Sequence, residues 1–243
     1  MGLLLATCGC AAWRLHVPLV ERLASSPTAP IFWAESFNAL RPESWRDVEV
    51  KRKTQYDVVE LEGRRCLRAQ SRDGASILLS AVRFDPEVYE WFSWEWRVDQ
   101  HVAGESLERK EGSDVAARVY VYFDTAGLPW QKRSLDYVWS ATLPVGTILE
   151  SAYSSSSKII VAESGTAHLG QWRAVERNLT DDYQHGFGKS KPPHVVAIGL
   201  MSDTDNTQGE ALAYFDELRV TRLPAVPPRA GQAGEPMHST RDR

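Results

Sequence analysis

Hydrophobic and polar residues alternate along several short segments of this chain, with the period of two residues that is typical of β-strands. In the segment 92–98 the apolar residues Phe92, Trp94, Trp96 and Val98 fall on one face. Segment 117–123 repeats the pattern, with Val119, Val121 and Phe123 on one side. Its other side carries one cation and two phenols: Arg118, Tyr120 and Tyr122. Each of these segments therefore predicts a strand with one face in the core.

Further short segments complete a predicted all-β fold. They cover residues 66–71, 75–80, 135–140, 158–163, 172–178, 195–202 and 211–221, with turn residues between them. No crossover helices separate them, so we predict a single antiparallel jelly-roll β-sandwich over 30–222, of the galactose-binding-like or concanavalin-like type. The Ser154–Ser157 run is predicted to be a loop. One helical turn is predicted over Thr180–Phe187, capped by Thr180 or Asp181.

The two ends of the chain differ from this body. Residues 1–29 begin with a short apolar run in which Leu5-Ala6-Thr7-Cys8 resembles a lipobox, and Cys10 is the other candidate junction. This predicts a truncated lipoprotein signal, an upstream start, a lipid attachment to the membrane and a periplasmic or outer-membrane location. The alternative is a short apolar cap followed by a helical N-terminal segment over 14–23. Residues 223–243 are rich in Pro, Gly and Ala, which predicts a disordered tail.

Composition narrows the classes of function. The net charge is −4, which disfavours nucleic-acid binding. Hydrophobic residues are 43% and charged residues 25%, as in soluble globular proteins. Once Cys8 and Cys10 are removed with a signal, Cys66 has no partner, and it is predicted to be a buried small hydrophobe. Nine Trp, eight Tyr and seven Phe are available to pack a core or to line a ligand groove.

Several rare residues occur in an order that resembles a known family. They are Trp94-Glu95-Trp96-Arg97-Val98, Lys110, Gly112, Asp114, 116–121, Tyr137-Val138-Trp139, Trp172, Glu176-Arg177-Asn178, Asp182-Tyr183, Phe187-Gly188, 203–207 and 213–216. The pattern spans Phe32 to Val220 and resembles the bacterial family catalogued as domain of unknown function 3047. The resemblance implies a jelly roll similar to carbohydrate-binding modules, mostly in exported proteins of Gram-negative bacteria.

The polar faces supply a candidate ligand site centred on Arg118. A guanidinium reads carboxylates or hydroxyls, and phenol rings stack on the apolar faces of pyranoses. If the strands 92–98 and 117–123 are neighbours, their polar faces converge into one concave cluster. The candidate ligand-binding residues are Glu95, Arg97, Lys110, Asp114, Arg118, Tyr120, Tyr122, Tyr137, Trp139, Glu176, Arg177, Asp205 and Asn206. The alternative is a buried ion-pair network in which Arg118 pairs with Asp114 or Glu95.

Two patterns raise the question of a metal ion, although no cofactor is established. Glu35 and Asp216 lie on the first and last predicted strands, where a structural Ca²⁺ could tie the sandwich together, or both could be surface acids. Asp203-Thr204-Asp205-Asn206-Thr207 alternates oxygen-bearing side chains in the manner of a calcium loop, but an Asx-rich turn accounts for it equally.

The favoured function is saccharide binding by a monomer that has no chemistry of its own. The alternatives are a polysaccharide lyase or hydrolase using Tyr183, His185, Arg118 and a carboxylate, and a structural envelope lipoprotein. No nucleophile-elbow, Walker or dinucleotide motif occurs in the sequence.

Overall fold

The computed structural model describes residues 30–125, 132–189 and 191–224, which form two packed β-sheets and one short helix. Sheet A contains β1 (Ile31–Glu35), β3 (Gln55–Leu61), β4 (Arg64–Arg72), β6 (Trp91–Gln100), β11 (Arg173–Asn178) and β13 (Glu210–Thr221). Sheet B contains β2 (Arg46–Arg52), β5 (Ala75–Ser80), β7 (Arg118–Phe123), β8 (Ser134–Ser140), β9 (Ile148–Ser151), β10 (Ser154–Ser164) and β12 (Val195–Asp203). The helix α1 covers Leu179–Phe187. The predicted all-β sandwich is confirmed.

The strand order places the first and last strands beside each other. Sheet A runs β11-β6-β13-β4-β3, and β1 pairs with the last residues of β13. Sheet B runs β2-β5-β12-β7-β8-β10-β9. Neighbouring strands are antiparallel except for β8 and β10, which are parallel. Strands β6 and β7, which follow each other in sequence, therefore lie in different sheets.

The core lies between the sheets and is built from the apolar faces that the alternation predicts. In β6, Phe92, Trp94, Trp96 and Val98 are at most 1% exposed. In β7, Val119, Val121 and Phe123 are fully buried. Burial of one face of each strand fixes the register, because a shift by one residue would exchange the two faces.

Aromatic contacts join the two sheets through the core. The ring of Trp94 lies 5.1 Å from that of Tyr137, and the ring of Trp96 lies 6.0 Å from that of Trp139, measured between centroids. Tyr137 and Trp139 belong to β8 and are completely buried. Their predicted place in an accessible ligand site is therefore wrong: they face inward, opposite to Asp136 of the same strand.

Strands β2, β3 and β9 are absent from the sequence prediction, and β1 is anticipated there only as the strand that carries Glu35. Their residues are mostly half-buried or exposed, so no continuous apolar face marks them. The Ser154–Ser157 run is also not a loop, because β10 begins at Ser154. The hydroxyl of Ser157 donates to Asp136, and Ser134 donates to the Ser157 hydroxyl at 3.0 Å. Polar partners on the neighbouring strand thus allow a serine run to pair in a sheet.

The helix α1 lies where the sequence predicts one turn, but its cap differs. The Asn178 side chain accepts hydrogen bonds from the backbone N–H groups of Thr180 and Asp181, at 3.0 and 3.1 Å. The helix ends at Gly188, whose φ of 63° is readily adopted by glycine. Asn178 rather than Thr180 or Asp181 is thus the N-cap. The predicted N-terminal helix and most of the predicted tail lie outside the described residues.

Cys66 is buried in sheet A, as predicted, and burial raises the pKa of its thiol to about 11. Among the residues that the structure describes, no helix has both the length and the apolar character needed to cross a bilayer.

We expect Trp94→Ala to lower the free energy of unfolding by about 3–5 kcal/mol, because the change leaves a cavity between the sheets. Chemical denaturation of both proteins measures this. Val145→Ala is the control, since Val145 is 56% exposed and its truncation should cost less than about 0.5 kcal/mol. A small effect at Trp94 would contradict the assignment of the core.

Candidate functional site

The candidate site lies on the outer face of sheet B and is centred on β7. Because Val119, Val121 and Phe123 point into the core, Tyr120 and Tyr122 must point outward. Their rings stack on each other, with centroids 5.4 Å apart and planes inclined by 15°. Both side chains are half-buried. Together they form a rigid aromatic platform, defined here as the Tyr120–Tyr122 pair.

A glycine on the next strand makes room for this platform. Gly199 of β12 lies opposite Tyr120 in the antiparallel pair. A Cβ atom at position 199 would lie 2.9 Å from Cγ2 of Ile77 and 3.4 Å from Cβ of Tyr120. The first distance is too short for a real contact. Gly199 therefore permits Ile77 and Tyr120 to approach each other across the sheet.

Arg118 occupies the end of β7 beside the platform and is only 5% exposed. Its Nη2 donates to the carbonyl oxygen of Ser113 at 2.7 Å. Nη1 lies 3.9 Å from a carboxylate oxygen of Asp136, and Nη2 lies 3.6 Å from one of Asp203. Its buried Nε has no hydrogen-bond partner. Arg118 thus belongs to a buried ion-pair network in which one N–H has no hydrogen-bond partner.

Three aspartates gather at the same end of the sheet. The carboxylate oxygens of Asp114, Asp203 and Asp205 lie within 4.8 Å of one another. Burial raises the pKa of Asp203 to about 7, Arg118 partly opposes that effect, and the charge of Asp114 adds to it. Burial, followed by the charge of Asp114, also raises the pKa of Asp205.

The hydrogen bonds of this triad indicate a structured turn more than a calcium loop. Asp114 accepts from the backbone N–H groups of Asn206 and Thr207, from the Asn206 amide and from the Thr207 hydroxyl. Asp203 accepts from the N–H of Val115 at 3.1 Å. Oxygen ligands of the type that Ca²⁺ prefers are present, but those of Asp114 already have four donors. The described contacts therefore favour the Asx-rich turn.

The Glu35 and Asp216 carboxylates likewise have protein partners. Glu35 accepts from the N–H of Phe37 and from the indole of Trp45, both at 3.0 Å. Asp216 accepts from Nε of Arg64 at 2.9 Å. Both acids are buried, so they are not surface acids. Strands β1 and β13 pair as expected, and protein groups donate to both oxygens of Glu35 and to Oδ2 of Asp216, whereas Oδ1 of Asp216 is buried without a partner.

The predicted convergence of Glu95 and Arg97 with Arg118 is wrong. β6 pairs with β11 and β13 in sheet A, whereas β7 pairs with β8 and β12 in sheet B. Their polar faces lie on opposite outer surfaces of the sandwich, because both apolar faces point to the shared core. Arg97 pairs with Asp99 and Glu62, both at 2.6 Å.

The other predicted site residues are also distributed between the two outer faces of the sandwich. Glu176 and Arg177 lie on β11 in sheet A, where Nε of Arg177 donates to Asp182 at 2.8 Å. Asp205 and Asn206 line the cleft beside Arg118. Lys110 reaches the edge of that cleft, with its ammonium 5.5 Å from the ring centroid of Tyr153.

The cleft has a volume of about 340 Å³. The Tyr120–Tyr122 pair lines it, together with Val50 of β2 and Tyr153, which lies between β9 and β10. Serine hydroxyls also line it, from Ser113, Ser134, Ser151, Ser154 and Ser157. Asp136 and Tyr153 are site residues that the sequence analysis missed. The Ser134-x-Asp136 spacing in a predicted strand was the available signal for Asp136, while nothing local marked Tyr153.

A second, wider groove lies on the outer face of sheet A. Its volume is about 1000 Å³, and its lining includes Arg64, Glu95 and Glu176. Arg64 pairs with Glu95 and Asp216, and its guanidinium lies 4.1 Å from the ring centroid of Trp172. The cations and acids of this groove thus pair with one another, although Oδ1 of Asp216 has no hydrogen-bond partner.

A two-sheet sandwich with an aromatic cleft on one outer face is the class that fold and site define. Comparison with known families matches residues 43–219 to the family described as protein of unknown function DUF3047, and the chain belongs to this family. The family predicted from the sequence is thereby confirmed. A search of curated proteins gave no match.

Three solved structures are similar to this chain in fold, at low sequence identity. A family 11 carbohydrate-binding module of the cellulase Lic26A-Cel5E of Clostridium thermocellum is 8% identical, with 78% of this chain and 92% of that chain covered and a TM-score of 0.43. The cellulose induced protein Cip1 is 9% identical, with coverages of 79% and 97% and a TM-score of 0.47. TmCBM61, in complex with β-1,4-galactotriose, is 11% identical, with coverages of 78% and 95% and a TM-score of 0.38.

We expect Arg118→Ala to lower the free energy of unfolding by about 3–5 kcal/mol, because Asp136 and Asp203 lose the cation that they share. Denaturant titration measures the loss. Arg52→Ala is the control, since the Arg52 side chain is 64% exposed and its ion pair should contribute less than about 1 kcal/mol. Equal stability of the Arg118 variant and the parent protein would rule out the buried network.

The raised pKa of Asp203 predicts that the free energy of unfolding depends on pH. Its carboxyl pKa rises from the ordinary 3.8 to about 7 on folding, so between these pH values the folded chain binds a proton that the unfolded chain releases. The contribution of this group to the free energy of unfolding therefore falls as the pH rises from about 4 to about 7, and is constant above that range. Asp203→Asn should remove this component. Unfolding curves of both proteins across the range measure it, and identical pH profiles would contradict the assignment.

Proposed function

We propose that this protein binds a saccharide in the cleft on the outer face of sheet B. The stacked Tyr120–Tyr122 pair is the observation that carries the proposal. Two phenol rings on alternate outward positions of one strand line the cleft, where they pack beside Ile77 and Met201, and the Tyr120 hydroxyl donates to the sulfur of Met201 at 3.4 Å. Half-buried aromatic rings that line a cleft are a common feature of ligand sites.

The polar groups around the platform support the same class of ligand. A saccharide presents apolar ring faces together with many hydroxyls that both donate and accept hydrogen bonds. Serine hydroxyls, the carboxylate of Asp136 and the guanidinium of Arg118 line the cleft. These donors and acceptors match a ligand rich in hydroxyls.

We also propose that the protein is exported from the cytoplasm. The lipobox-like Leu5-Ala6-Thr7-Cys8 supports a periplasmic or outer-membrane lipoprotein with Cys8 or Cys10 as its first mature residue. Mass spectrometry of the protein purified from its native cells tests this proposal. An intact Met1 with unmodified cysteines would contradict it.

One observation favours a second function, which is catalysis on a saccharide. Asp203, with a pKa of about 7, lies in the cleft together with Arg118 and Asp136. A carboxyl with such a pKa can exchange a proton near neutral pH, as a general acid or base must. Incubation with polysaccharides, followed by analysis for new reducing ends or unsaturated products, tests this function. Loss of product in Asp203→Asn with retained binding would support it, and intact polysaccharide throughout would exclude it for the substrates tried.

We expect Tyr120→Ala and Tyr122→Ala each to weaken saccharide binding by at least about tenfold, because each removes an aromatic face of the platform. Glycan-array screening followed by calorimetry on the best oligosaccharide measures the loss. Melting temperatures of the same variants show whether the fold is retained.

Trp172→Ala is the matched aromatic control on the opposite face, where Arg64 covers the indole. It should leave the affinity unchanged. Loss of binding in Trp172→Ala, with retention in both tyrosine variants, would move the site to sheet A. An absence of binding to any glycan would favour the structural role that the sequence left open.

A further inference from the structure

Acidic side chains are more numerous than basic ones in the lining of the cleft on sheet B. Asp136, Asp203 and Asp205 contribute three carboxylates. Asp114 lies directly behind the last two, within 4.8 Å. Arg118 is the cation at their centre, and its Nη1 and Nη2 already face Asp136 and Asp203. Carboxylates therefore outnumber cations around the Tyr120–Tyr122 pair.

Of the other cations near the cleft, Lys110 lies at its edge beside Tyr153, and two further lysines interact with acids. Lys132 donates to Asp124 at 2.8 Å. Lys51 donates to the backbone carbonyl oxygen of Asp205 at 2.7 Å, and its ammonium lies 3.9 Å from the Asp205 carboxylate. Lys51 thus offsets Asp205 in part, from a half-exposed position. Neither lysine balances Asp136 or Asp203.

The geometry of Arg118 also disfavours an acidic ligand. A carboxylate is bound most tightly by two parallel N–H groups of one guanidinium. Nη2 of Arg118 already donates to the carbonyl oxygen of Ser113, Nη1 lies 3.9 Å from Asp136, and Nε is buried. Arg118 therefore offers a ligand carboxylate no pair of free, parallel N–H groups. A ligand carboxylate placed there would also face Asp136 and Asp203.

A cationic ligand, in contrast to an acidic one, is favoured by the charges of this cleft. A protonated amine next to Asp136 or Asp205 gains an ion pair, and the faces of the Tyr120–Tyr122 pair attract cations. We propose that the cleft prefers saccharides that carry a free, protonated amino group and disfavours saccharides that carry a carboxylate. This inference rests on the proposed function of the same cleft.

Four tetrasaccharides test the preference by calorimetry at about pH 7 and low ionic strength: oligomers of glucosamine, N-acetylglucosamine, glucose and glucuronic acid. We expect the glucosamine oligomer to bind about fivefold tighter than its N-acetylated counterpart, and the glucuronic acid oligomer to bind most weakly. Raising the salt concentration should reduce both differences.

Two single-charge variants locate the effect. Asp136→Asn and Asp205→Asn should each bring the affinities for glucosamine and N-acetylglucosamine oligomers closer together. Asp57→Asn is the matched control, because Asp57 pairs with Arg68 on sheet A, away from the cleft. It should leave the ratio of the two affinities unchanged.

The outcomes separate this inference from the proposed function. Equal affinity for the amino and N-acetylated oligomers, with loss of both in Tyr120→Ala, would overturn the amine preference and leave saccharide binding in place. Tightest binding of the glucuronic acid oligomer would also overturn it. Failure of all four to bind, together with a negative glycan array, would overturn the proposed function itself.

Discussion

The alternation of β7 between the core and the outer surface is the constraint on which the rest of the structure depends. Val119, Val121 and Phe123 fill the space between the sheets, so the intervening residues must face outward. A slip of one residue would place the Arg118 guanidinium in an apolar core and two valines on the surface. The hydrophobic effect therefore fixes the tyrosine platform and the arginine at once, without any contact that is specific to them.

The outward position of Arg118 still leaves its charge almost buried, and this explains the polar network beside the platform. Removing a guanidinium from water is costly unless acids and carbonyl groups replace the lost hydration. Asp136, Asp203 and the carbonyl oxygen of Ser113 do so in part. The raised pKa of Asp203 shows that the compensation is incomplete for this carboxyl, since burial outweighs the attraction of Arg118. Such incompletely paired groups are common where proteins bind ligands.

The two outer faces of the sandwich use similar residues in different ways. On sheet A, Arg64 joins Glu95 and Asp216 and lies 4.1 Å from the ring centroid of Trp172. On sheet B, Arg118 lies farther from its aromatic neighbour, 5.7 Å from the ring centroid of Tyr120, and the Tyr120–Tyr122 pair lines a cleft. Aromatic rings that line a concave cleft, more than the residue types alone, distinguish a candidate site from a stabilised surface.

The sequence by itself determined the fold class, nine of the strands, the buried faces of β6 and β7, and the family. These follow from short-range alternation, which burial enforces in each strand separately. Only the tertiary structure decided that β6 and β7 lie in different sheets, which separates Arg97 from Arg118 and brings Asp136 and Tyr153 to the cleft. It also placed Tyr137 and Trp139 in the core. The physical reason is that alternation fixes which residues of a strand share a face, whereas the neighbours of that strand depend on pairing between segments distant in sequence.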